Sequence, residues 1–292
     1  MATGTIWSLH QLEVFVTTKT NQSVPKIAGV DQVIAVASGK GGVGKSTVAA
    51  NLAVALQQAG HTVGLLDADI YGPSQGALLG IPSGTRPNVV NDILVPIEAH
   101  GLFCMSMSFL ASSKTPAIWR GPMASGALQQ MLSQTAWPNL DYLIIDMPPG
   151  TGDIQLTLAQ QVPVSGAVIV TTPQDIALLD ARKGIEMFRK VAVPVLGLVE
   201  NMSQFVCPHC GEATEIFGTG GGEAVASEYA VPVLARIPLA AETREKSDAG
   251  TPVAGDVRSP SKSLFADLAG QMLTRLAGSE APVVPVISIV DD

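Results

Sequence analysis

The stretch that most constrains this chain is Val33–Thr47, VIAVASGKGGVGKST, in which five apolar residues run through a turn into a glycine-rich loop and the start of an apolar helix. The pattern G-x-x-x-x-G-K-S falls on Gly39, Gly44, Lys45 and Ser46, directly behind a strand-like run and ahead of the helical run Val48–Leu56. That context is the one a phosphate loop requires. Glycines let backbone N–H groups turn inward around a polyphosphate, and the helix N-terminus adds a favourable dipole and unpaired donors. Lys45 is expected to neutralise the outer phosphates and Ser46 to hold a magnesium ion. The bland alternative, a glycine-rich strand-to-helix turn with no ligand, requires the loop, the strand and the helix to coincide by chance.

A chain of 292 residues, 47% hydrophobic, can bury one large α/β core. A net charge of −8 argues against a nucleic-acid surface, which needs a basic face, and 4% aromatics against a base-stacking platform. Three cysteines, two of them in one short motif, do not make a disulfide framework, so a reducing compartment is expected. No apolar run approaches the ~18 residues of a membrane span, and the first thirty residues lack a basic-then-apolar leader pattern. These features predict a cytoplasmic protein without nucleic-acid or membrane partners.

The expected organisation is a short N-terminal extension over residues 1–30, an ATPase domain over 31–278 and a loosely ordered tail over 279–292. The extension holds one strand candidate, Leu12–Val16, and a polar linker, Thr17–Ser23. The loop helix should stop near Gly60, ahead of a strand over Thr62–Leu66 that ends in Asp67-Ala68-Asp69. Residues two apart on a strand point the same way, so both carboxylates could leave the sheet edge beside the loop, one supporting magnesium and one orienting a hydrolytic water. Two aspartates that merely end a strand in a turn are the alternative. Ile93–Ile97 and Leu102–Met107 suggest a strand pair around His100-Gly101, with Cys104 as a buried small hydrophobe. Trp119–Pro122 reads as a loop into a helix over Met123–Gln134.

Leu140–Asp146 is an apolar strand closing on a carboxylate, and Asp146 could accept a water bound to the metal. Met147–Asp153, MPPGTGD, is suited to sensing a γ-phosphate. Further strands are expected over Ala167–Val170, Val195–Val199 and Val233–Ile237, with a helix over Ile176–Lys190. Apolar strands alternating with helices predict a doubly wound, mostly parallel sheet with helices on both faces. Asn201, after the Val195 strand, has the donor and acceptor that complement the edge of adenine.

Cys207-Pro208-His209-Cys210-Gly211 is a single C-x-x-C, placed in a loop beyond the sixth strand. Two thiolates are half of what a tetrahedral zinc or an iron-sulfur cluster needs. A homodimer giving two cysteines per chain, a dithiol redox pair, and a local role without cofactor all remain open. The redox reading expects a helix N-terminus and the zinc-finger reading a second downstream pair; neither is present in the sequence. His209, inside the x-x, would compete sterically with its neighbours as a ligand. Gly218–Gly222 reads as a hinge before a helix over Glu223–Tyr229. The stripe Leu264, Leu268, Met272 and Leu276 in a closing helix over 261–277 reads as core rather than membrane anchor.

SGKGGVGKS at 38–46, with its additional Lys40, resembles the deviant Walker A class of P-loop ATPases. DADIYGPS at 67–74, WRGPM at 119–123, DMPPGTGD at 146–153, ENMS at 200–203 and CPHCG at 207–211 together resemble the Mrp/ApbC-type iron-sulfur cluster carrier ATPases over about residues 30–255. The resemblance implies that Gly39, Lys40, Gly41, Gly42, Val43, Gly44, Lys45, Ser46 and Thr47 contact ATP. Lys40 would reach a partner's nucleotide. Asp69 would orient the water, Ser46, Asp67 and Asp146 form the magnesium side, and Asn201 contact adenine. It implies further that Cys207 and Cys210, with the same pair from a second subunit, hold a bridging 4Fe-4S cluster, handed between scaffold proteins and apo iron-sulfur proteins. Many such carriers have an additional N-terminal domain or a cysteine-rich extension. Residues 1–30 resemble the end of the former, and no second, stable cluster is expected. Two competing readings are a nucleotide-switched positioning or partition ATPase, which does not account for the cysteines, and a dimer bridged by structural zinc.

Overall fold

The structure is a computed structural model that describes residues 26–110 and 121–278. The expected strand Leu12–Val16, the linker Thr17–Ser23, Trp119 and Arg120, and the tail after Gly278 lie outside the described residues. In chain order the strands are β1 (Val30–Ala37), β2 (Val63–Asp67), β3 (Val89–Val90), β4 (Ile93–Leu94), β5 (Ile97–Ala99), β6 (Leu102–Ser106), β7 (Leu140–Asp146), β8 (Gly166–Thr171), β9 (Val195–Val206), β10 (Ala213–Thr214) and β11 (Val233–Leu239). The helices are α1 (Lys45–Gln58), α2 (Gln75–Leu78), α3 (Met107–Leu110), α4 (Gly121–Ser133), α5 (Asp153–Gln161), α6 (Asp175–Lys190), α7 (Gly221–Glu228), α8 (Ala241–Asp248) and α9 (Ser261–Gly278).

Strands buried along their whole length, such as β2 and β8, need cover on both faces, and a parallel sheet provides it. The sheet runs β11-β9-β8-β1-β7-β2-β6-β5, parallel except for the β5–β6 hairpin at one edge and the short β10 beside the far end of β9. Leu128, Met131, Leu158, Ile185 and Phe188 cover one face, and Leu52, Leu56, Phe265, Leu268 and Met272 the other. The sheet is doubly wound, as the alternation of apolar runs predicted. β1 sits between β7 and β8, and the chain leaves it in one direction and returns in the other. Such a switch point opens a crevice at the C-terminal strand ends, and the glycine-rich loop occupies it.

Several boundaries differ from the expectation. β2 ends at Asp67, so Asp69 lies beyond the strand and the two carboxylates are not successive same-face residues. The hairpin around His100-Gly101 pairs β5 with β6, whereas Ile93–Leu94 pairs back on Val89–Val90 around Asn91 and Asp92, at φ 50° and 62°. α7 begins at Gly221, two residues before the expected start. Most consequentially, β9 does not stop at Val199. It continues through Asn201 to Val206 and ends as an antiparallel ribbon with β10. Met202 at φ 54° bends the strand, and the extension beyond it is largely exposed, so it carries no apolar run to announce it.

Candidate nucleotide and cysteine sites

The loop from Ser38 to Ser46 keeps an open inner face. A Cβ on Gly41 or Gly42 would meet nothing within 4 Å, and Gly42 and Gly44 sit at φ 83° and 82°, where a side chain is strained. The outer face is packed tightly: a Cβ on Gly39 would come within 2.1 Å of the Asp180 carbonyl on α6, and one on Gly44 within 2.2 Å of Asn201 Nδ2. Glycines thus let α6 and β9 press on the loop while its concave side faces outward. Asn201 Nδ2 donates to the Val43 carbonyl at 2.8 Å, which ties β9 to the loop. Thr47 accepts at its carbonyl from Asn51 at 2.9 Å, within α1.

Lys45 is buried. Its ammonium pairs with Asp146 Oδ1 at the end of β7 and lies 3.2 Å from Ser46 Oγ. Asp146 Oδ2 accepts from Gln75 Nε2 at 2.8 Å, and the same nitrogen donates to the Ser46 carbonyl at 3.0 Å. Asp67 is buried and accepts from the backbone N–H groups of Asp69, Ser74 and Gln75 and from Ser106 Oγ at 2.9–3.2 Å, so it organises the turn that follows it. Burial, and then the neighbouring Asp146 charge, push the Asp67 carboxyl up to about 7. Asp69 is raised chiefly by burial, with Lys45 opposing and Asp146 adding to the shift; it accepts from the Gly72 N–H at 3.2 Å. Lys40 is half-buried in the loop and has no side-chain partner among the described residues.

Ser46, Asp67, Asp69 and Asp146 therefore gather around Lys45 at the crevice. Gln75 was not singled out by the sequence. No motif spacing marks it, and its contacts reach 29 and 71 residues away. The donor set fits a hard cation: a hydroxyl, carboxylates and a buried carbonyl oxygen, Gln75 Oε1, that has no hydrogen-bond partner among the described residues. Magnesium fits these oxygens better than a soft metal would.

The cysteines lie elsewhere. Phe205 and Val206 pair with Thr214 and Ala213, and Cys207–Gly211 closes the ribbon tip: Cys207 N donates to the Glu212 carbonyl and Gly211 N to that of Cys207, both at 2.9 Å. Cys210 is exposed and Cys207 half-exposed, and Val206 just before them and Ile216 just after β10 are exposed as well. Hydrogen bonds from the backbone of Cys210 and His209, and from the Cys210 side chain, lower the Cys207 thiol below the usual range, which favours the ligating thiolate. Cys104, by contrast, is pushed up to about 12 by burial and is chemically inert. Among the described residues no three His, Cys, Asp or Glu side chains are arranged to hold a metal ion, at the crevice or at the tip: the crevice carboxylates are engaged by Lys45, Gln75 and backbone N–H groups, and the tip offers its two sulfurs.

The family model described as NUBPL iron-transfer P-loop NTPase matches residues 29–273. The chain belongs to that family. An iron-sulfur cluster carrier protein of Pseudomonas fragi is 62% identical over 253 residues, covering 86% of this chain and 88% of that protein. The iron-sulfur cluster transfer protein NUBPL of mouse is 49% identical, over 89% of this chain and 83% of its own. Among solved structures, a nucleotide-binding protein of Archaeoglobus fulgidus in complex with ADP superposes with TM-score 0.69 at 40% identity, over 79% of this chain and 91% of that one. The cell-division ATPase MinD of Pyrococcus furiosus, at 23% identity and TM-score 0.63 over 83% of this chain and 98% of its own, shares the fold. This member of the family has no described helix long and apolar enough to cross a membrane.

Proposed function

We propose that this chain is an ATP-binding and ATP-hydrolysing iron-sulfur cluster carrier that holds a labile 4Fe-4S cluster as cargo between two copies of itself and passes it from scaffold proteins to apo iron-sulfur proteins. One observation carries the reading: β9 is a single strand that touches the loop at Asn201 and delivers Cys207 six residues later, roughly 20 Å of chain. The loop contact and the cysteine pair are thereby carried by one element, Asn201 at its middle and Cys207 just past its end. The unit is read as residues 31–278, working in the reducing cytoplasm where free thiols persist.

The loop from Gly39 to Thr47 would cradle the phosphates of ATP. Lys45 would leave Asp146 for the outer phosphates, exchanging one anionic partner for another. Ser46 and Asp146, with Asp67 behind them, would hold magnesium, which when bound spreads the negative charge of the phosphates. Asp69 would orient the attacking water, and Lys40 would reach the nucleotide of the second copy. Asn201 Oδ1 is left to contact adenine. At the other end, four thiolates from two ribbon tips would complete the cluster, with Val206 and Ile216 giving the contact an apolar rim. Coupling of turnover to release requires two dimer states that differ in cluster affinity.

Anaerobic reconstitution with iron and sulfide tests the reading. Brown protein with equal iron and sulfide, and cluster passed to an apo-ferredoxin, is the expected result. Colourless protein that retains zinc stoichiometrically would favour the structural-metal reading. ATP-dependent co-sedimentation with anionic liposomes or DNA would favour the positioning ATPase.

A further inference from the structure

The buried Gln75 bridges three segments of the crevice. Its backbone N–H donates to Asp67 at 3.0 Å, and its side-chain nitrogen donates both to the Ser46 carbonyl and to Asp146 Oδ2. It therefore links the turn after β2, the phosphate loop and the end of β7. Both side-chain contacts are acceptors without a proton to give, so the amide cannot be turned round: nitrogen faces them, and oxygen is fixed on the other side. That oxygen is the buried orphan, in a residue only 2% exposed.

We propose that Gln75 is a positioning residue of the nucleotide–magnesium site, which holds Asp146 in place when Lys45 turns to the phosphates and offers Oε1 to a water of the metal's shell. The inference rests on the ATP–magnesium reading above. In the structure Asp146 has two side-chain partners, Lys45 on Oδ1 and Gln75 on Oδ2. Once the ammonium is drawn away, the amide is the remaining one, and without it the carboxylate is free to rotate at the moment it is needed. Outer-sphere groups of this kind orient a ligand without touching the metal. The orphan oxygen lacks a donor, and a metal-bound water is a strong one.

The test is calorimetric titration of ADP into the full chain, its Gln75→Leu variant and its Gln75→Met variant, each with magnesium and with EDTA, beside thermal melts. Leucine and methionine keep the approximate volume and remove the amide. Affinity in EDTA should stay within about twofold of the parent, while the magnesium-dependent gain should shrink by about tenfold or more. An unchanged magnesium gain in the variants overturns the proposal. So does an equal loss with and without magnesium, or failure of both variants to fold, since either marks Gln75 as a structural strut. If the parent itself shows no magnesium gain, the ATP–magnesium reading fails as well, and the two failures are told apart.

Discussion

The crevice around Lys45 and the tip around Cys207 are built on opposite plans. At the crevice, buried polar groups answer one another: Lys45 with Asp146, Asp146 with Gln75, Asp67 with three backbone N–H groups and Ser106. At the tip, one exposed and one half-exposed thiol stand on a turn closed by backbone hydrogen bonds. One site has its buried groups already partnered within the chain, so a ligand must displace existing partners. The other is half a coordination sphere, so a ligand must recruit partners from outside. Removing a residue from the first therefore disturbs fold and function together, whereas removing one from the second disturbs function alone.

The contrast is broken or sharpened by substitution, beginning with the tip. The double variant Cys207→Ala/Cys210→Ala should lose essentially all bound iron and sulfide on reconstitution, yet melt within about 2 °C of the parent, because exposed positions rarely carry stability. A drop in melting temperature as large as that of a crevice variant would erase the distinction. At the crevice, Lys45→Met strands two buried carboxylates without a cation. It should lower stability by about 3 kcal/mol in denaturant titrations and abolish measurable nucleotide binding. Lys40→Ala lies between the two plans, within the loop but with no side-chain partner among the described residues: nucleotide affinity should hold within about twofold while turnover falls by at least about tenfold.

Asp67 gives a pH signature that the tip cannot. In the folded chain it keeps its proton up to about 7, against an ordinary value of 3.8, so between these values the native state holds the additional proton. Its contribution to stability is full below 3.8 and is lost as pH rises to 7. The melting temperature of the nucleotide-free protein should therefore fall across that window by several degrees more than that of Asp67→Asn. The smallest effect is expected for Asn201→Ala, a few-fold loss of ATP affinity by calorimetry, from the lost hydrogen bond to Val43 and the lost contact with adenine.

The two regions also differed in how far the sequence exposed them. The loop, β1, β7 and β8 were legible because buried strands are written as unbroken apolar runs and the phosphate loop as fixed glycines. The ribbon was not, since Gln204 to Glu215 is mostly solvated and its pairing rests on backbone hydrogen bonds, which leave no side-chain period. Nor was Gln75 visible, because its contacts depend on how distant strands are brought together. Asp67 and Asp69 were found as candidates for a reason the structure replaces: they converge through a turn closed by Asp67 itself, not through strand alternation.

The most direct test of a half-sphere at each tip is native mass spectrometry of the anaerobically reconstituted protein with intact iron and sulfide. The account predicts one 4Fe-4S cluster on a dimer of 292-residue chains, with apo-protein as the only cluster-free form and Cys207→Ser/Cys210→Ser never carrying iron. A cluster carried by a single chain, or a dimer that retains its cluster in the double variant, would contradict it.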